Sequence, residues 1–181
     1  MQCEILRNVV EHRALTPAAT ESEDVTVTVQ PLAHPWLVVM TYDCDLLHDH
    51  DMRSSIALEE KQQEDWERNF RRICPHILFC EAYEESEIKA LYELTNNRSI
   101  KRIKDNQVER LHVLPDPSTE DAIASVPQLF LDFKKSFSLP TQSVYDGLSE
   151  FGLQRVAVLS GDHRFDLMHR FYSFLSRVGI P

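Results

Sequence analysis

The chain has 181 residues, enough for one domain that buries most of its apolar surface without disulfide or metal staples. Hydrophobic residues make up 43%, near ordinary globular usage, and no apolar run approaches the ~18 residues of a membrane span. A net charge of −10 opposes non-specific contact with nucleic acid or anionic membrane and excludes functions that need a generally basic surface.

In chain order, Met1 to Val10 carries Ile5, Leu6, Val9 and Val10 and suits a short helix or strand. Thr16 to Asp24 reads as a loop. Val25 to Val29 alternates Val-Thr-Val-Thr-Val, the period of a half-exposed strand. A turn is expected over Pro31 to Pro35. The segment Leu37 to Leu47, LVVMTYDCDLL, is the strongest strand signal in the chain. Its uniformly apolar start suits a central strand buried on both faces, with Asp43-Cys44-Asp45 at its exit. If the strand persists, Asp43 and Asp45 share one face and the thiol points away. If it ends at Tyr42, all three converge in a loop. His48 to Asp51 reads as a polar loop.

Ala57 to Ile73 is charged, lacks Gly and Pro, and places Trp66, Phe70 and Ile73 on one stripe, which predicts an inserted surface helix over 57–73. His76 to Cys80 reads as a second buried strand. Glu84 to Leu94 predicts a short helix with Ile88, Leu91 and Tyr92 on one face and Ser86 as a weak cap. Ser99 to Lys104 and Gln107 to Leu114 are expected to form a hairpin turning at Asp105-Asn106. Pro115 to Ser125 is a loop, and Val126 to Phe133 a strand closed by Leu139-Pro140. Thr141 suits the N-cap of a helix to Phe151, stopped by Gly152. Val156 to Leu159 is the last strand. A helix from Asp162 to Val178 carries Phe165, Met168, Phe171, Tyr172, Leu175 and Val178 as a wide apolar face, with His169 towards solvent.

The pattern is α+β, with all 181 residues in a single domain. A small SH3-like barrel or a rolled, mostly antiparallel sheet satisfies it, with the charged insertion and the C-terminal amphipathic helix packed outside. Cys3, Cys44, Cys74 and Cys80 follow no disulfide-framework spacing and no signal-peptide pattern is seen, so a reduced, cytoplasmic protein is expected.

Four constellations carry candidate chemistry. Cys44, flanked by Asp43 and Asp45, needs a base to act as a nucleophile, and His112 on a second expected core strand is the natural partner. The neighbouring carboxylates oppose a thiolate, and a buried cysteine is more often a small filler. Metal ligation by Asp43, Cys44, Asp45, His48, His50, Cys74, His76, Cys80 or His112 lacks any standard ligand spacing, so no metal is assigned. Arg98, Lys101, Arg102, Lys104 and Arg110 form the dense basic cluster and offer the one route to nucleic acid or an acidic partner. No aromatics interleave these charges for base stacking, which favours a solvated edge. The last helix carries Asp162, His163, His169 and Arg170, but its stripe is more simply core.

Two resemblances cover parts of the chain. Thr41 to Leu46 (TYDCDL), Arg110 to Val113 (RLHV) and the end of the chain from Arg170 to Pro181 resemble a set of uncharacterised bacterial proteins with T-x-D-C-D-L and R-L-H blocks. His34 to Asp43 (HPWLVVMTYD) with Val126 to Ser138 (VPQLFLDFKKSFS) is similar to the framework of PemK/MazF-type toxins. That likeness implies an SH3-like barrel. His34 stands where those toxins carry arginine and their opening Gly-Asp strand is missing, so it implies a barrel more than a ribonuclease.

Two functions follow as expectations. One is an accessory subunit that docks on a larger protein or a basic toxin, as small acidic proteins of bacterial phage-defence and toxin-neutralisation clusters do. The other is a small hydrolase, nuclease or thiol enzyme built on Asp43, Cys44, Asp45 and His112. With four glycines and no Walker, Rossmann or G-x-S-x-G pattern, no phosphate-cradling cofactor is expected, and no membrane contact.

Overall fold

A computed structural model describes residues 3–15, 28–58, 73–114, 126–150 and 152–178. Six antiparallel strands form one sheet: β1 (Glu4–Leu15), β2 (Thr28–Val39), β3 (His76–Glu84), β4 (Leu111–Val113), β5 (Leu129–Pro140) and β6 (Gln154–Val158). Their order is β4-β5-β3-β2-β1-β6. Five helices accompany them among the described residues: α1 (Asp43–Leu58), α2 (Glu85–Leu91), α3 (Asn97–Lys104), α4 (Thr141–Ser149) and α5 (Gly161–Val178). The class is α+β. The sheet is open, with β4 and β6 as its edges, so the barrel implied by the toxin-like framework is not formed.

Strand alternation sorts the core into two faces. On one face Val38, Met40, Leu131 and Phe133 pack against Leu167, Met168 and Phe171 of α5. On the other, Leu37, Val39, Ile77 and Phe79 pack against Leu46 of α1 and Val144 of α4. Phe130, between Leu129 and Leu131 in sequence, points to this second face and packs with Ile88 of α2 and Ile100 and Ile103 of α3. Among the described residues the sheet is therefore sandwiched, with α5 alone on one side and four shorter helices on the other.

The expected central strand is present but longer and differently ended. Residues 28–39 form one strand, without the expected turn at Pro31 to Pro35. β2 pairs β3 only from Leu37 to Val39, while it pairs β1 along its whole length. The stretch before Leu37 is thus one half of a two-stranded ribbon with an edge that tolerates proline. Asn8, at φ 61°, breaks the alternation of β1, so that Leu6 and Val9 face the same side. Opposite Val9 lies His34.

Several other expectations are corrected. Asp43-Cys44-Asp45 and the expected loop His48 to Asp51 lie in α1, because the segment from Asp43 to Leu58 has no Gly or Pro and two acids in its first turn. The expected hairpin over Ser99 to Leu114 is helix α3 followed by a short β4. Asn96 accepts the Ser99 N–H as N-cap, and Ile100 and Ile103 bury at helical spacing. Leu91 is 48% exposed rather than core, and Glu84 with Glu87, not Ser86, caps α2 in a reciprocal box. Thr141 is the first residue of α4, and its hydroxyl donates to the Cys74 carbonyl at 2.6 Å instead of capping. Of the helix expected over 57–73, Ala57 and Leu58 belong to α1, while 59–72 lies outside the described residues, as do the segments 16–27 and 115–125.

Candidate functional site

Cys44 sits in the exposed first turn of α1. Its Sγ is 3.7 Å from Asp45 Oδ1. Asp43 is held by Arg164 of α5 at 2.7 Å, and Asp45 is exposed. A shallow depression of about 480 Å³ joins Cys44 to Leu47, His50 and Arg155. His112 is on β4, 2% exposed, and stacks on Phe133 at 6.1 Å. Its Nδ1 is buried and has no hydrogen-bond partner. Burial, with the positive charge of Arg170, lowers its pKa to about 4, so the ring is neutral at neutral pH. The structure does not bring Cys44 and His112 into hydrogen-bond contact. Nor, among the described residues, do three His, Cys, Asp or Glu side chains gather to hold a metal.

The basic cluster also divides. Arg98, Lys101 and Arg102 lie exposed on α3, and Lys101, Arg102 and Lys104 complement the negative end of that helix. Lys104 pairs with Glu85 of α2. Arg110 turns inward and holds Asp132.

Sequence reading missed two polar networks on the four-helix face. His34, 2% exposed, donates from Nδ1 to Glu81 Oε1 at 2.9 Å and from Nε2 to Glu11 Oε2 at 3.2 Å. A carboxylate at each nitrogen favours the charged ring, which can donate to both. Burial opposes that charge, but the two carboxylates outweigh it and hold the His34 pKa above its ordinary value. Glu81 is held low by His34, and it also accepts from the Tyr83 hydroxyl.

Nearby, a bulge in β5 sets Asp132 to Lys135 against Glu81 alone and aims the fully buried Asp132 at Arg110. Arg110 donates from Nε and Nη2 at 2.7 Å each, and the Tyr92 hydroxyl and Lys134 N–H complete the shell. Burial alone would raise the Asp132 pKa, but these donors bring it below the ordinary carboxylate range. A third network ties α1 to α4. Fully buried Asp49 accepts from Cys74 N–H at 2.7 Å, Arg53 Nε at 2.8 Å and the Tyr145 hydroxyl at 3.0 Å.

The shifts decide what the first two networks do. The carboxylates are held low and kept ionised, the imidazole is raised, and the tyrosines Tyr83 and Tyr92 are raised by burial and so kept neutral. Catalytic acids and bases are shifted towards the operating pH. Asp132, Glu81 and the two tyrosines are shifted away from it, as groups held in structural clamps are, whereas His34 is raised from an ordinary value just below neutrality.

The outer face of α5 is different. Phe165 is 76% exposed and Tyr172 39% exposed. Tyr42, from the β2–α1 junction, stacks on Tyr172 at 5.8 Å, and His169 stacks on Phe165 at 6.4 Å. Between these ring pairs runs a groove of about 730 Å³ with Met168 in its lining and Ser173 and Ser176 further along. The inner residues Leu167 and Phe171 are buried against the sheet. The face expected to be wholly core is therefore two stripes, one inside and one outside.

Among the described residues no helix is long and apolar enough to cross a membrane. The chain matches no protein-family model, no curated protein and no solved structure.

Proposed function

We propose that this chain is an accessory subunit that binds a larger protein partner through the outer face of α5. The observation that carries the reading is Phe165, three-quarters exposed beside an apolar aromatic groove, on a chain whose buried Asp132 is bound up by Arg110, Tyr92 and the Lys134 N–H. Exposed aromatic clusters of this kind supply the anchors of protein interfaces. Cys44, exposed and without a hydrogen-bonded imidazole, has no place in this function.

The test is co-purification of the tagged chain from its source cell, read by native mass spectrometry. Phe165→Ser and Tyr172→Ser should lose the partner seen with the unaltered chain while keeping its unfolding midpoint. Cys44→Ser should keep the partner. Retention of the partner by both aromatic variants, or a chain that always runs alone, would overturn the reading.

A further inference from the structure

The groove on α5 also carries information on what fills it. Phe165, Met168, Tyr172 and Ser176 follow one another at helical spacing, so the lined length is about 16 Å, or roughly three helical turns. A partner side chain set repeating every three or four residues matches that spacing, which a second helix laid along α5 supplies.

The rim is acidic. Asp45 is exposed in the first turn of α1, three residues after Tyr42, whose ring stacks on Tyr172. Asp162 is exposed one turn before Phe165, and Asp166 is exposed beside His169 and Ser173 in the adjoining depression, whose Arg170 is turned to the carbonyls of Asn106, Val108 and Leu111 and whose Arg177 is paired with Glu109. Arg164, the cation in the lining, is already neutralised by Asp43. A second copy of the chain would set the same acidic rims against each other, −10 against −10, so charge argues against a self-contact.

Resting on the partner-binding reading, we infer that the occupant is an amphipathic helix of the partner, with an apolar stripe flanked by lysine or arginine. The stripe fills the groove, and the flanking cations meet Asp45, Asp162 and Asp166.

The experiment uses the full 181-residue chain and two labelled designed peptides, one a leucine–lysine amphipathic helix, the other its leucine–glutamate counterpart with the same stripe. Fluorescence anisotropy at low salt should show the lysine peptide binding at least about tenfold tighter. The triple variant Asp45→Asn, Asp162→Asn, Asp166→Asn should shrink that gap to about threefold or less. Phe165→Ser should abolish binding of the lysine peptide.

Equal binding of both peptides would overturn the basic occupant and leave partner docking intact. Undiminished binding of the lysine peptide to Phe165→Ser would mean general charge attraction and overturn the groove as its seat. No binding of either peptide would overturn the helical occupant, whereas loss of docking itself is read separately in the co-purification above.

Discussion

His34 and His112 are each 2% exposed, yet the fold sets their charges in opposite directions. His34 has carboxylates at both nitrogens, whereas His112 has an aromatic ring on its face and Arg170 nearby. The pH dependences follow in sign. His112 titrates at about 4 in the fold and near its ordinary 6.5 when unfolded. Between those values the unfolded chain binds the extra proton, so stability falls as pH drops from about 6.5 towards 4, by about 3 kcal/mol in full. His34, with its folded value raised, gives stability that is complete below its unfolded value and is lost as pH rises through the folded one. In urea unfolding at a series of pH values, His112→Phe should flatten the acid limb, while His34→Gln should flatten the limb that falls as pH rises above the ordinary histidine value. An acid limb unchanged in His112→Phe would show that the ring is not sealed. Asp132 is fully buried and relies on its partners to stay ionised. Arg110→Ala leaves a fully buried carboxylate without its cation and should cost about 3 kcal/mol in the same measurement, since Tyr92 and the Lys134 N–H still bond it.

At the scale of the element, the segments legible in the sequence are those whose period reports their own burial. β3, the Leu37–Val39 end of β2 and the positions of α4 and α5 are of this kind. Two segments misled for local reasons. Asp43-Cys44-Asp45 follows a true strand and reads as its tip, but two acids ahead of a long stretch free of Gly and Pro mark a helix start. Ser99 to Lys104 looks like half of a hairpin, yet the Asn96 cap and the Ile100/Ile103 spacing of three are helical signals. Asn96→Ala should therefore cost about 1 kcal/mol in urea unfolding, with loss of the bond to Ser99 N–H. The site was less legible because it is non-local. Glu81 meets His34 across 47 residues and Asp132 meets Arg110 across 22, and no sequence period encodes either. On α5 both apolar stripes keep helical spacing and lie side by side. Only the sheet pressed against Leu167 and Phe171 shows that Phe165 and Tyr172 are left outside.

Taken as a whole, the molecule balances an exposed aromatic groove against a charge of −10. Its end strands are short, three residues in β4 and five in β6, and the longer edge that β2 presents before Leu37 is interrupted by Pro31 and Pro35, which limits strand-to-strand association. Among the described residues the groove is then the main apolar surface through which copies could meet, and mutual repulsion holds them apart. That repulsion reaches about 10 Å at 0.1 M salt but only about 3 Å at 1 M, while the apolar attraction does not weaken with salt. Sedimentation velocity should accordingly show a monomer at low ionic strength and a growing dimer fraction near 1 M sodium chloride, in the absence of partner. Phe165→Ser should stay monomeric in both, since it removes the attraction without touching the charge. A dimer already dominant at low salt would mean that the acidic rim does not police this face. A salt-induced dimer that survives Phe165→Ser would place the contact elsewhere, with the β6 edge, where Val158 is 55% exposed, the next surface to alter.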